Sequence, residues 1–389
     1  AVSYESLIAA ESDEFEWPEF DENSAVALCY TSGTTGDPKG VLYSHRSTIL
    51  HAYASLAPDV MGLSSRDVVL PVVPLFHVNA WGIPYSVLMA GAKLVFPGPK
   101  MGDGEALYGL MDSENVTLAL GVPTVWLALL QYTEKAGKRL DKLDRSIVGG
   151  AAVPRAMIEA FRDKHDVEVR QGWGMTEMSP VGAVNTIKAG LEKLSPDDLL
   201  DLATKAGRGL YGCELRIVDD GGNELEWDGQ AYGALQVRGP WICSDYFKLE
   251  GSAGSHTDDG WFDTGDVAII DPQGYMTITD RTKDVIKSGG EWISSIELEN
   301  TAMGHPAVAE AAVIGVAHPK WTERPLLVVV KAEDQDVSKE EMLAFFEGKV
   351  ATWWVPSDVA FVDELPHTAT GKVKKIELRR QFADYQLPD

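Results

Sequence analysis

Strand-like and helix-like segments alternate along the first half of the chain, and this alternation restricts the fold more than any other feature of the sequence. Short apolar and β-branched runs predict six strands: Ala25–Tyr30, Val68–Val73, Lys93–Phe96, Thr117–Gly121, Ser146–Gly149 and Val167–Gln171. The segments between them predict four helices: Ser44–Ala57, Glu105–Met111, Thr124–Glu134 and Pro154–Lys164. Such alternation is typical of a layered α/β fold with a mostly parallel sheet, whose ligands bind beyond the carboxyl ends of the strands.

The pattern changes twice in the second half. Between Cys213 and Asp280, short strands separated by Asp-Gly, Gly-Gly and Pro-Gln-Gly turns predict an antiparallel β unit. Two helices and two strands after Arg281 predict a compact α+β unit that is large enough to fold as a domain of its own. The expected division is a large domain over residues 1–282, with an α/β part (1–212) and a β-rich part (213–280), and a small C-terminal domain over 283–389.

The charge of the chain restricts its partners. The 389 residues include 34 Lys and Arg against 59 Asp and Glu, which gives a net charge of −25. Because so acidic a surface repels nucleic acids and anionic membranes, we expect neither as a partner, and the apolar runs are too short to cross a bilayer. Three cysteines, Cys29, Cys213 and Cys243, have no zinc-binding spacing and form no disulfide framework, so we expect a cytoplasmic protein.

A glycine-rich segment directly after the first strand, Tyr30–Gly40, is the strongest single indication of function. It reads Tyr-Thr-Ser-Gly-Thr-Thr-Gly-Asp-Pro-Lys-Gly. Glycines allow backbone N–H groups to turn toward a polyphosphate, hydroxyl side chains donate hydrogen bonds, and Lys39 supplies positive charge. The order Pro-Lys-Gly at its end excludes a Walker A loop. A flexible polar turn is the alternative interpretation. The expected nucleotide contacts are Thr31, Ser32, Gly33, Thr34, Thr35 and Lys39.

This segment closely resembles the phosphate-binding motif of the adenylate-forming superfamily, which includes acyl-CoA synthetases, luciferases and the adenylation domains of peptide synthetases. Three further motifs of that family follow in the expected order: Gln171–Glu177, Trp261–Asp266 and Pro366–Lys372. The resemblance implies that ATP and Mg²⁺ activate a small carboxylic acid as acyl-AMP, and that coenzyme A then receives the acyl group. It covers essentially the whole chain.

The resemblance also implies roles for the residues of these motifs. In the second motif an aromatic residue flanks the adenine, and nucleotide contacts are implied for Gly172, Trp173, Gly174 and Met175. Thr176 and Glu177 are implied as catalytic residues that meet phosphate and magnesium, and a carboxylate such as Glu177 suits Mg²⁺ as a metal ligand. Trp173 stands where many relatives have tyrosine. The segment Gly150, Ala151 and Ala152 resembles the one that packs on the adenine.

Further residues implied by the family lie from Asp266 onward. Asp266 and Arg281 match the ribose contacts, and a carboxylate can accept hydrogen bonds from both ribose hydroxyls. Lys283 matches the hinge about which the small domain rotates, and Lys372 matches a lysine that stabilises the charge of the transition state. By composition alone a solvated basic loop would be the favoured interpretation of the segment around Lys372, and the match to the family motif favours the catalytic lysine. The loop that lines the coenzyme A tunnel is implied at Lys287, Ser288, Gly289 and Gly290.

The acid is expected to bind beside Pro74–Gly82. The family places a gate to the pantetheine tunnel at His77, which we therefore include among the catalytic residues, and Trp81 is either a pocket wall or a core residue. The expected pocket consists of His77, Trp81, Val122, Gly149, Trp173, Gly174 and Met178. Because no aspartate lies between Pro71 and Ala90, a substrate ammonium group has no counterion there, which favours an uncharged acyl tail.

Within the superfamily the chain looks most like ligases of 3-methylmercaptopropionate, an acid of dimethylsulfoniopropionate breakdown, and of medium-chain fatty acids. We expect the first acid, with a medium-chain fatty acid as the alternative. An adenylation domain that loads a carrier protein and an inactive nucleotide-binding protein are further alternatives. Family members have an N-terminal subdomain ahead of the phosphate motif that completes the acid cleft and in some forms a dimer contact. We therefore expect a truncated sequence or a missing segment, and monomer and homodimer both stay open.

Overall fold

Two antiparallel strands lie on either side of the glycine-rich segment in the sequence and pair as a hairpin. In this computed structural model, helix α1 (Tyr4–Ile8) precedes strands β1 (Ala25–Tyr30) and β2 (Gly40–Ser44). The structure describes residues 3–31, 38–249, 255–281, 284–289, 291–333, 335–367 and 373–388. The predicted bounds of β1 are confirmed, but it lies in a separate two-stranded sheet and not in the parallel one. The segment between β1 and β2 is too short for a parallel crossover, which needs about a dozen residues or more.

Seven strands among the described residues form the central sheet. They are β3 (Val68–Pro71), β4 (Lys93–Leu94), β5 (Leu118–Gly121), β6 (Arg145–Gly149), β7 (Glu168–Gly174), β8 (Val181–Val184) and β9 (Arg208–Gly209). Their spatial order is β4-β3-β5-β6-β7-β8-β9; the strands from β3 to β7 pair in parallel, whereas β8 and β9 pair antiparallel. The predicted mostly parallel sheet is confirmed.

Helices cover both faces of this sheet. Leu118 and Leu120 of β5 belong to one buried cluster and Ala119 to another, because successive strand residues point to opposite faces. The first cluster includes residues of α4, and the second includes residues of α5, α6 and α7. The helices are α2 (His45–Leu56), α3 (Val78–Trp81), α4 (Ile83–Ala90), α5 (Gly104–Glu114), α6 (Pro123–Ala136), α7 (Arg155–Ala160) and α8 (Pro196–Ala203).

The C-terminal half contains two more sheets. An antiparallel sheet has the order β10 (Glu214–Val218), β11 (Gly233–Arg238), β12 (Phe262–Ile270) and β13 (Met276–Arg281), as predicted. The last part contains β14 (Ile286–Ser288), β15 (Glu291–Ile293), α9 (Ser295–Met303), β16 (Val308–His318), β17 (Thr322–Lys331), α10 (Lys339–Phe345), β18 (Asp358–Phe361) and α11 (Lys375–Gln381). Its sheet has the order β15-β14-β17-β16, and β18 pairs with β17 in parallel. No helix among the described residues has the length and apolar character that crossing a membrane requires.

A buried ion pair fixes the start of α11. Lys375 Nζ lies 2.7 Å from Glu299 Oε1 in α9 and donates a hydrogen bond to Ser295 Oγ. The backbone N–H of Ser295 in turn donates to Asp280 Oδ2 at 2.6 Å. Burial alone lowers the pKa of Lys375, but the carboxylates of Glu299 and Asp280 outweigh burial and raise it, so Lys375 stays charged. The helix that follows Lys372 is therefore held firmly against α9.

His51 connects α2 to the central sheet. Its side chain is 1% exposed, and Nε2 accepts a hydrogen bond from the backbone N–H of Val181 in β8 at 3.0 Å. Burial lowers the pKa of His51 to about 3, because the charged imidazolium cannot be solvated there.

We expect this histidine to make the fold acid-sensitive. The unfolded chain takes up a proton at His51 below its ordinary pKa of 6.5 and the folded protein does not, so stability is unaffected above that pH and falls as the pH drops toward 3. The loss is about 1.4 kcal/mol per pH unit in this window. The variant His51→Gln removes the titration, and its unfolding free energy in urea should fall less steeply between pH 6.5 and 4.5. Equal slopes in the two proteins would contradict this account.

Candidate active site

The carboxyl ends of β5, β6 and β7 lie side by side and bring several predicted site residues together. Gly149 at the end of β6 pairs with Gly172 of β7, and Val122 follows the end of β5. A side chain at Gly149 would meet both the Gly172 carbonyl oxygen, 2.9 Å from the added Cβ, and the Trp81 ring, 3.1 Å away. Only glycine therefore allows Trp81 to approach this edge of the sheet.

The next segment is tied to the same edge. Gly150, Ala151 and Ala152 follow β6, and the backbone N–H of Val153 after them donates to Gln171 Oε1 of β7 at 3.1 Å. This bond joins the segment predicted to contact adenine to β7, the strand that contains Trp173.

Trp173, Asp266 and Arg281 form one connected group. Asp266 of β12 and Arg281 of β13 are partners in the strand register, and Arg281 Nε lies 2.7 Å from Asp266 Oδ1. From the other sheet, Trp173 Nε1 donates to Asp266 Oδ2 at 3.0 Å. Each carboxylate oxygen has two lone pairs, so Asp266 can hold these two donors and still accept ribose hydroxyls. Three residues that lie far apart in sequence thus meet where the family resemblance implies a ribose.

Thr176 and Glu177 lie in a buried turn directly after β7. The residues Thr176–Met178 form one 3-10 turn, and the side chains of Thr176 and Glu177 have little exposure. Two tyrosines hold this turn: Tyr43 Oη donates to the Thr176 carbonyl oxygen, and Tyr246 Oη donates to Glu177 Oε1, both at 2.6 Å. Burial, and then the nearby Glu177 charge, raise the pKa of Tyr246, so its hydroxyl keeps its proton and remains a donor.

Glu177 fits the role of a magnesium ligand. Among the described residues, no group of three or more His, Cys, Asp or Glu side chains is placed to hold a metal ion. Mg²⁺ differs from zinc in this respect, because it is usually bound by one or two carboxylates together with substrate phosphates. Tyr246 engages one oxygen of Glu177, and no described residue forms a hydrogen bond or ion pair with the other. The single carboxylate is therefore suited to a metal that arrives with a nucleotide.

The phosphate segment is described at its two ends. The backbone N–H of Thr31 donates to the Lys39 carbonyl oxygen, and that of Lys39 donates to Thr31 Oγ1, each at 2.9 Å. Lys39 Nζ lies 4.5 Å from the centroid of the Tyr246 ring. The other four predicted contacts, Ser32, Gly33, Thr34 and Thr35, lie outside the described residues.

The predicted acid pocket has an unusual backbone at its centre. The four residues of α3, Val78 to Trp81, all have φ between 45° and 61°, so this element is a left-handed turn that starts directly after His77. Non-glycine residues rarely adopt this conformation, and such strain tends to occur at functional sites. The Asn79 side chain accepts a hydrogen bond from Cys29 Sγ at 3.5 Å, which fastens the turn to β1.

The remaining pocket residues are mostly buried. Trp81 is 8% exposed and Met178 is fully buried, and both belong to the main apolar cluster, against which Val122 and Trp173 pack. Trp81 is therefore a core residue that also borders the strand ends at Gly149. Its role as a pocket wall, like the roles of the other predicted site residues, stays a prediction.

The predicted coenzyme A loop is partly described. Lys287 and Ser288 belong to β14, and Gly289 follows with φ of 62°. Gly289 donates its backbone N–H to the Trp321 carbonyl oxygen at 2.8 Å, and an added Cβ there would lie 2.8 Å from the Trp321 ring. Gly290, Lys283 and Lys372 lie outside the described residues.

Sequence reasoning missed Tyr43, Tyr246 and Trp321. Tyr43 alternates with Val41 on the buried side of β2, and this alternation was a signal that could have indicated an inward-facing tyrosine. Neither Tyr246 nor Trp321 belongs to a segment with such a pattern. Their positions depend on loops that only the three-dimensional fold brings to the site.

The sequence of the chain is similar to those of known enzymes. The family model described as AMP-binding enzyme matches residues 2–247, and the model of the AMP-binding enzyme C-terminal domain matches residues 297–372. The 3-methylmercaptopropionyl-CoA ligase of Ruegeria lacuscaerulensis is 57% identical over 98% of this chain and 70% of its own length. The medium-chain-fatty-acid–CoA ligase of Ectopseudomonas oleovorans is 52% identical over 99% of this chain and 70% of its length.

The fold of the chain is similar to those of solved structures. ATP-bound MatB from Rhodopseudomonas palustris is 28% identical with a TM-score of 0.83, over 97% of this chain and 72% of that one. The anthranilate CoA ligase AuaEII in complex with anthranoyl-AMP is 26% identical with a TM-score of 0.86, over 97% of this chain and 71% of that one.

We predict that Trp173→Phe weakens ATP binding while the fold is retained. The variant keeps an aromatic face but removes the N–H that Trp173 donates to Asp266. Without this N–H, Asp266 is less firmly held in the position in which it is expected to accept the ribose hydroxyls, so the Kd for ATP, measured by calorimetry, should rise about tenfold. Trp126→Phe is the matched control, because the Trp126 ring N–H has no hydrogen-bond partner among the described residues. Equal ATP affinity in wild type and Trp173→Phe would contradict the assigned role.

Proposed function

The chain belongs to the AMP-binding enzyme family and is an ATP-dependent acyl-CoA ligase, and we propose that the acid it activates is 3-methylmercaptopropionate. ATP, Mg²⁺ and coenzyme A are used in the reaction. The observation that carries the adenylation site is the meeting of Trp173, Asp266 and Arg281 beside the strand ends.

The character of the expected pocket supports the choice of acid. Trp81 and Met178 are buried apolar side chains beside the strand ends, and Val122 packs against the same cluster. A thioether such as that of 3-methylmercaptopropionate is soft and polarizable, and makes favourable contacts with aromatic rings. The strong identity to the medium-chain ligase makes a medium-chain fatty acid the second candidate, since its aliphatic tail suits the same surroundings.

In the first half-reaction, a carboxylate oxygen of the acid forms a bond to the α-phosphorus of ATP as the bond to pyrophosphate breaks. We propose that Trp173 packs against the adenine and that Asp266, held by Arg281, accepts hydrogen bonds from the ribose hydroxyls. Thr176 and Lys39 would then meet the phosphates, and Glu177 would hold Mg²⁺, which would offset the phosphate charge. Lys372 stabilises the negative charge of the transition state.

In the second half-reaction, the thiol of coenzyme A attacks the acyl carbonyl carbon and AMP leaves. We propose that the small domain, residues 283–389, turns about Lys283 between the two steps and withdraws Lys372. His77 then lies at the entrance for the pantetheine arm, and the loop of Lys287 to Gly290 lines its path. A motion of this kind separates two chemical steps in one site.

We further propose that the protein acts in the cytoplasm without a nucleic-acid partner. Its net charge of −25 supports this, as do three cysteines that are free thiols in the structure. Sedimentation equilibrium would decide between monomer and homodimer.

We predict that pyrophosphate release is fastest with 3-methylmercaptopropionate among a panel that includes propionate, octanoate and β-alanine. The ammonium group of β-alanine would be buried without a partner, and a cost of about 3 kcal/mol or more corresponds to at least a hundredfold lower kcat/KM. Higher kcat/KM with octanoate would favour the medium-chain alternative. Pyrophosphate release without formation of a thioester would indicate an adenylation domain that loads a carrier protein. No pyrophosphate release with any acid would indicate an inactive nucleotide-binding protein.

We predict that Lys372→Ala abolishes most acyl-AMP formation but spares thioester formation from acyl-AMP supplied to the enzyme. Loss of the transition-state charge partner should lower the adenylation rate at least a hundredfold. Lys374→Ala is the control, because Lys374 Nζ pairs on the surface with Glu377 at 3.0 Å. If both half-reactions of Lys372→Ala run at the wild-type rate, the role assigned to Lys372 is wrong.

A further inference from the structure

Tyr246 contacts two parts of the candidate ATP site, the turn that contains Glu177 and the phosphate segment that contains Lys39. Its hydroxyl donates to Glu177 Oε1 at 2.6 Å, its ring lies 4.5 Å from Lys39 Nζ, and its side chain is 7% exposed. Its ring packs in a small buried cluster with Cys29, Val41 and Tyr43 of the β1–β2 hairpin. None of the four motifs includes this tyrosine.

The backbone around Tyr246 is anchored on both sides, at Phe247 and at Cys243. The N–H of Phe247 donates to the Gly40 carbonyl oxygen at 2.8 Å, at the end of the phosphate segment. The N–H of Cys243 donates to the Glu177 carbonyl oxygen at 2.7 Å. The segment from 243 to 247 therefore spans from the hairpin to the turn that contains Glu177, and the ring of Tyr246 lies between them in a fixed place.

Tyr246 contacts two groups of opposite charge. Glu177 is 6% exposed, and a buried polar group is costly unless it has a hydrogen-bond partner. The Tyr246 hydroxyl supplies a donor without a positive charge, while the face of the same ring attracts the Lys39 ammonium. Lys39 and Glu177 form no ion pair in the described part of the chain. Without the hydroxyl, Glu177 would lose this donor, and the Lys39 ammonium over the same ring would be a candidate new partner.

We propose that Tyr246 is a positioning residue that holds Glu177 in place for Mg²⁺ and keeps it from pairing with Lys39. The inference rests on the proposed function, since it assumes that ATP and its metal bind at this site. The role inferred for the tyrosine is to orient Glu177, not to act on the reacting atoms. We expect loss of the Tyr246 hydroxyl to lower the affinity for Mg²⁺. Removal of a residue that orients a metal ligand typically lowers metal affinity by about 10- to 100-fold.

The test is the Mg²⁺ dependence of ATP binding in Tyr246→Phe, measured by calorimetry at a series of Mg²⁺ concentrations. Phenylalanine fills the same space and keeps the ring under Lys39, so only the hydroxyl is lost. We expect the Mg²⁺ concentration that gives half of the maximal increase in ATP affinity to rise about tenfold. ATP affinity in EDTA should stay within about twofold of wild type. Tyr275→Phe is the matched control, because its buried hydroxyl donates to the Thr186 carbonyl oxygen, far in sequence from the phosphate segment.

A second variant shows whether the effect passes through Glu177. In Glu177→Gln the metal ligand is lost, and adding Tyr246→Phe to it should cause no further change in Mg²⁺ dependence. An unchanged Mg²⁺ requirement in Tyr246→Phe would overturn the inference. So would equal losses of ATP affinity with and without Mg²⁺, which indicate a purely structural role. Failure of the wild-type protein to bind ATP in any condition would instead refute the proposed function and, with it, this inference.

Discussion

The carboxylate of Asp266 is the interaction on which the site depends, because it joins two sheets that belong to different parts of the fold. Arg281 contacts this carboxylate from the neighbouring strand of the antiparallel sheet, and Trp173 contacts it from the end of β7 in the central sheet. Asp266 is 3% exposed, and a buried charge is stable only when it is paired and hydrogen-bonded. Both donors fix the distance between the strand ends and the antiparallel sheet, and the nucleotide is proposed to bind at that junction.

Other buried charged side chains also have hydrogen-bond or ion-pair partners, but the kind of partner differs. Glu177 receives the hydroxyl of Tyr246 and remains a candidate metal ligand, whereas Asp266 receives a guanidinium and an indole N–H. In the C-terminal part, Lys375 is buried against Glu299 and holds the start of α11 three positions after Lys372. A neutral donor beside Glu177 suits a group that has to accept a metal. A full ion pair suits Lys375, which holds two helices together.

Local pattern and motif were enough to predict the layered sheet, the antiparallel unit and the order of the functional segments. The strand Ala25–Tyr30 was predicted with its correct bounds, since its apolar run is clear, but its pairing depends on the length of the following segment. The left-handed turn from Val78 to Trp81 could not be predicted, because these residue types disfavour that conformation and only tertiary packing imposes it. Tyr246 was missed for a related reason: its contacts with Lys39 and Glu177 join segments that lie far apart in the sequence.

The most direct measurement of the central claim is a crystal structure of the protein with a non-hydrolysable analogue of 3-methylmercaptopropionyl-AMP. The account predicts that the ribose hydroxyls donate to Asp266, that the adenine lies against Trp173, and that the acyl tail lies near Trp81 and Gly149. An analogue bound with its ribose away from Asp266, or with its acyl tail directed away from the ends of β5 and β6, would contradict it.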